Sequence, residues 1–163
     1  MKIRYLAAAI FVFLSGALLS LAQDFNEHFL AAACTGKNLH IVDTANGPAV
    51  ELPTNRLGTV VLYCNVDAED TNFFNWLQLI AEDTGAGGSV TATLYQQDLV
   101  GGAPVALGSV TTSDQPGVQV ASKFVNGFEL NEYSFHYYIT ITLNRTTSTG
   151  TLRAYAASIM DVF

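Results

Sequence analysis

From residue 39 onward, Val, Ile, Thr, Tyr and Phe recur in short runs, and Gly, Pro, Asn and Asp interrupt them every eight to fourteen residues. That punctuation, with no sustained helical period, commits the chain to β-sheet. Strands are expected near 38–43, 48–52, 57–66, 73–82, 88–97, 104–112, 117–125, 132–143 and 151–161. Eight to nine short strands and no internal repeat give an all-β domain, an antiparallel sandwich of jelly-roll-like type. The turns carry their own chemistry. Gly85-Ala86-Gly87-Gly88 and Gly101-Gly102 supply positive φ for hairpins, Pro116-Gly117 suits a type II turn, and Asn126-Gly127 suits type I′.

Alternation then assigns faces. On 57–66, Val60, Leu62, Cys64 and Val66 share one side, and Thr59, Tyr63 and Asn65 the other. On 88–97, Val90, Ala92 and Leu94 point inward, and Thr91, Thr93 and Tyr95 outward. Segment 73–82 is apolar on both faces, as in a central or covered strand, with Trp76 expected in the core. The last two strands, joined across 145–150, are expected to form a hairpin with Leu143 opposite Leu152, Ile141 opposite Ala154 and Ile139 opposite Ala156. The outer face of that hairpin would carry His136, Tyr138, Thr140, Thr142, Arg153 and Tyr155.

The first residues set the compartment. Lys2 and Arg4 precede an apolar run, and Ser20 and Ala22 stand at −3 and −1 of a cut before Gln23, the order of a secretory signal peptide over 1–22. The apolar stretch is short for a membrane span, so no membrane insertion is expected after cleavage. Cleavage removes two of seven basic residues and none of the fourteen acidic ones, leaving a formal charge of −9. Such a balance argues against nucleic acid as a partner. Residues 23–33 read as an arm or a short helix, with Asp24 and Glu27 spaced as a capping box, and 34–163 as the sandwich domain. Cys34 and Cys64 both lie in the exported part, where an isolated pair forms a disulfide. The protein is therefore expected to be secreted, periplasmic or at the cell surface.

An early Cys, then Tyr63-Cys64-Asn65-Val66, a Trp-Leu strand, an acidic turn, the run Ser89 to Tyr95 and the run Tyr137 to Leu143 with Arg145 just after it follow in that order. The pattern resembles uncharacterised secreted bacterial proteins of β-sandwich type with two cysteines, and the resemblance implies fold and export.

No nucleophile elbow, zinc-protease helix or phosphate-binding loop is present, so the chain is not expected to be an enzyme or to need a cofactor. Asp67, Glu69 and Asp70 gather hard oxygen ligands in one turn, a calcium candidate without the EF-hand spacing; a solvated acidic turn is the ordinary reading. The best binding surface is the expected hairpin face, with Tyr138, Tyr155, Thr140, Arg153 and His136 as ligand-contacting residues. Tyrosines offer flat apolar area plus a hydroxyl, suited to a sugar ring or a protein partner. The reading is a non-catalytic secreted or surface binding module for carbohydrate or protein. Its alternative is a structural subunit of an extracellular fibre or envelope layer, linked by the arm.

Overall fold

The computed structural model describes residues 26–67 and 73–161. In chain order its strands are β1 (Asn26–Leu30), β2 (Thr35–Gly36), β3 (Ile41–Thr44), β4 (Gly47–Glu51), β5 (Gly58–Asn65), β6 (Phe73–Asp83), β7 (Gly88–Asp98), β8 (Val105–Thr111), β9 (Gln115–Glu129), β10 (Phe135–Arg145) and β11 (Leu152–Met160). A 3-10 turn, Ala31–Ala33, separates the first two. They form two antiparallel sheets. The first runs β3-β4-β11-β6-β9, with β1 also on β11; the second runs β2-β5-β10-β7-β8. The fold is the expected sandwich.

The strand number is eleven among the described residues, not eight to nine, because β1 and β2 lie in sequence read as arm and connection. β1 pairs with β11 of its own chain from Asn26↔Met160 to Leu30↔Ala156, so this edge of the sandwich is closed in cis. The signal segment 1–22 lies outside the described residues. Cys34 and Cys64 are joined, as expected, tying the start of β2 to β5.

The core lies between the sheets. Val60, Leu62 and Cys64 from β5, Val90, Ala92 and Leu94 from β7, and Ile139, Ile141 and Leu143 from β10 meet Leu77, Leu79 and Ala81 from β6 and Leu152, Ala154, Ala157 and Ile159 from β11. The inward sets of β5, β7 and β10 are those the alternation assigned.

The expected hairpin of the last two strands does not form. β10 lies between β5 and β7 in the second sheet, and β11 belongs to the first. Arg145 explains the crossover. It points inward, 2 % exposed, and donates to the carbonyls of Thr149, Gly150 and Leu52. The chain is thereby held in an arch from one sheet to the other. Gly150 (φ +74) passes 2.6 Å from Gly85 Cα at the position a Cβ would occupy, so both chains must be bare there. A bulge between Ala154 and Ala156 shifts the phase of β11, and Ala157 rather than Ala156 enters the core.

Other local expectations shift for similar reasons. A bulge between Phe74 and Trp76 turns Trp76 outward from the core, edge-on to Phe124 at 5.9 Å. Residues 85–88 cross between sheets instead of closing a hairpin, whereas Gly101 and Gly102 (φ +115 and +126) do turn the β7–β8 hairpin. Asn126-Gly127 is no turn: β9 runs on to Glu129, and the two residues fall between Phe124 and Phe128, where its register against β6 shifts. Pro116-Gly117 lies inside β9 where its register against β6 slips.

Candidate functional site

Because β10 sits between β5 and β7, their outward residues form one surface. Thr140 stands opposite Tyr63 on one side and Thr93 on the other; Tyr138 stands between Asn65 and Tyr95. Three tyrosines and a histidine therefore collect on the outer face of the second sheet. The Tyr138 ring lies 5.3 Å from Tyr95 at an interplanar angle of 17° and 5.7 Å from His136 at 27°, both stacked. Tyr63 is tilted at 6.3 Å on the other side and is 52 % exposed. Burial pushes the Tyr138 hydroxyl above its ordinary pKa, helped by Tyr95 and Tyr63, so it stays protonated and able to donate at neutral pH.

Hydroxyls continue the face below the rings. Thr140 is buried under them. Thr91 and Thr111 share a hydrogen bond of 2.9 Å, and Thr93 and Ser109 one of 3.0 Å. Thr59 donates to Asn144 at 2.9 Å. The outward residues of β5, β10 and β7 from these rows include no Asp, Glu, Lys or Arg. The arrangement is a sheet face without acidic or Lys/Arg side chains, with aromatic rings at one end and hydroxyl-bearing rows along it.

Of the residues expected to act together, His136, Tyr138 and Thr140 share this face. Arg153 and Tyr155 do not, since β11 is in the other sheet. Arg153 lies between Glu51 at 2.7 Å and Glu82 at 3.2 Å. Burial works against its charge, but those two carboxylates hold its pKa above the ordinary value. Tyr155 is buried and donates to Glu82 at 3.2 Å. The residues the sequence reading left out of the site are Tyr63 and Tyr95. Their outward direction was legible; their neighbours were not.

The calcium candidate is divided. Asp67 is exposed and its backbone N–H donates to Glu27 Oε1 at 3.2 Å, while Glu69 and Asp70 lie outside the described residues. Among the described residues no group of three or more His, Cys, Asp or Glu is disposed to hold a metal ion. His28 Nδ1 lies 2.6 Å from Ser158 Oγ, but Ser158 is fully buried, which closes its hydroxyl to a substrate. No helix among the described residues is long and apolar enough to cross a membrane.

Two open grooves flank Tyr63. One, of about 420 Å³, runs over His28, Leu30, the disulfide and Asn65. The other, of about 560 Å³, runs over Thr35, Lys37, Asn38, Arg56 and Thr59.

No protein-family model and no curated protein matches the sequence. Solved structures are similar in fold. A family 6 carbohydrate-binding module studied for its binding sub-sites superposes with a TM-score of 0.54 at 10 % identity, over 84 % of this chain and 94 % of that one. The C-terminal family 6 module of LamC, a marine laminarinase from Zobellia galactanivorans, gives 0.55 at 13 % identity, over 84 % and 100 %. A β-1,3-glucan-binding family 6 module from Bacillus halodurans gives 0.54 at 12 % identity, over 83 % and 96 %. At such identities the likeness is one of architecture.

Proposed function

We propose that the protein is an exported, non-catalytic module that binds carbohydrate through the tyrosine face of the second sheet. The observation that carries this is the row of Tyr63, Tyr138 and Tyr95 across three adjacent strands, open to solvent at Tyr63 and bordered by hydroxyls. Aromatic rings stack on the apolar faces of sugars, and Thr, Asn and His side chains meet their hydroxyls. The sandwich shared with carbohydrate-binding modules, one of them a β-1,3-glucan binder, supports the same reading. So does the disulfide, which fits an oxidising compartment. The fibre-subunit reading has no comparable support, because β1 already fills its own sandwich edge.

The test is affinity electrophoresis, then calorimetry, against laminarin, xylan, soluble cellulose derivatives, polygalacturonate and carrageenan. The wild type binds at least one of them. Tyr138→Ala and Tyr63→Ala each weaken that binding by about tenfold or more, the effect of losing a central aromatic contact. Tyr155→Phe, on the opposite sheet, leaves it unchanged. Binding to none of these glycans, or equal binding by Tyr138→Ala, refutes the assignment.

A further inference from the structure

Cations are scarce on this molecule, and their distribution is uneven. Among the described residues they are Lys37, Arg56, Lys123, Arg145 and Arg153. Arg145 is buried on backbone carbonyls, and Arg153 is held between two glutamates. Of the three that remain, Lys37 and Arg56 line the same groove, the one of about 560 Å³ beside Tyr63. No acidic residue lines it. Both side chains are exposed, and neither forms an ion pair among the described residues. On a chain with fourteen acidic residues against seven basic ones, this groove is opposite in sign to the chain's net charge.

The groove is held in shape by the backbone. A Cβ at Gly36 would stand 2.8 Å from both Leu39 Cδ2 and the Val61 carbonyl oxygen, so only glycine lets β2 lie this close to β5. Asn38 adopts a left-handed conformation (φ 58°) that turns the chain next to Lys37. The disulfide at Cys34 pins the segment at its start. Tyr63 forms one wall of the groove and is also the most open ring of the tyrosine row. The groove and the tyrosine row therefore share Tyr63 and are continuous.

We infer that this groove is an anion-binding subsite continuous with the tyrosine face, and that the glycan the protein takes is acidic, with a carboxylate or sulfate on the sugar that lies beyond Tyr63. This rests on the carbohydrate-binding reading above and narrows it. Arg56 supplies a planar fork of donors matched to an anionic oxygen pair, and Lys37 a point charge on a flexible stem. The outward residues of the tyrosine face include no Lys or Arg, so the discrimination between acidic and neutral glycans resides in these two side chains.

The experiment compares polygalacturonate, carrageenan and laminarin, which carry carboxylates, sulfates and no charge, on the full chain at about 20 mM and about 200 mM salt. At least one of the two acidic polymers binds about tenfold more tightly than laminarin at low salt, and the advantage shrinks at high salt. Which acidic polymer is preferred assigns the anion. Lys37→Gln/Arg56→Gln, melting at the wild-type temperature, lowers the acidic-over-neutral ratio about tenfold. Laminarin binding as tightly as the better of the two acidic polymers, or a ratio unmoved in the double variant, overturns the inference. If only neutral glycans bind and need Tyr138, the anion subsite falls and the tyrosine face stands; if no glycan of either panel binds, both fall.

Discussion

The bond between Cys34 and Cys64 closes a loop with a sequence separation of 30. In the chain-entropy account, opening such a loop frees the unfolded chain by about 3.6 kcal/mol at 25 °C. For a domain of this size that is a fall in melting temperature of roughly 7–14 °C. The cleanest perturbation is the wild type with its disulfide reduced, which keeps both sulfur atoms; the Cys34→Ala/Cys64→Ala variant also empties part of the core, since Cys64 is buried. Scanning calorimetry of the two, against the oxidised protein, separates the terms. A local effect accompanies the global one. β2 has only two register pairs, Thr35↔Tyr63 and Gly36↔Leu62. Without the cross-link the amides of 35–39 exchange with solvent much faster, and the Lys37/Arg56 groove loses its shape. A melting temperature within about 2 °C of the oxidised form, with unchanged exchange at 35–39, refutes the reasoning.

Three further outcomes follow from the packing. A Cβ at Gly108 would stand 2.1 Å from Val125 Cγ1, so Gly108→Ala costs about 1–3 kcal/mol in urea unfolding. In a Val125→Ala background most of that cost disappears; simple additivity of the two changes counts against the contact. Arg145→Met leaves the carbonyls of Leu52, Thr149 and Gly150 without their donor, at a cost of about 3–5 kcal/mol in the same assay. A loss below about 1 kcal/mol would mean that water reaches those carbonyls. Asp83 has its pKa raised above 3.8, chiefly by burial, with Thr112 and Gly85 bonding against the shift. The folded state thus holds the proton to higher pH than the unfolded one, so Asp83 contributes stability that is complete below pH 3.8 and is lost as pH rises through the raised value. Asp83→Asn flattens that part of the stability–pH curve, and an unchanged slope above pH 4 in the variant contradicts it.

Alternation made the inward and outward sets of β5, β7 and β10 readable, because period 2 is a property of each strand alone. Strand neighbours are a property of the whole chain. The short connection 146–151 has the length of a hairpin loop, and only the inward turn of Arg145 onto three carbonyls makes it an arch. That one misreading moved Tyr155 and Arg153 beside Tyr138 and removed Tyr63 and Tyr95 from it. The bulges at Phe74/Trp76 and Ala154/Ala156 were equally invisible, since each reverses alternation within a single apolar run. β1 was hidden for another reason: Asn26–Leu30 is too polar to announce a strand, and it is drawn into one by the free edge of β11.

The pairing of Asn26 with Met160 has a mechanical consequence. Among the described residues the first and last strands run antiparallel with their outer ends side by side, so tension between these two points opens the ladder one residue pair at a time instead of shearing all five pairs together. The same adjacency means that a short linker can join 160 to 26 while the chain is cut in the β7–β8 hairpin at Gly101-Gly102, leaving every ladder intact.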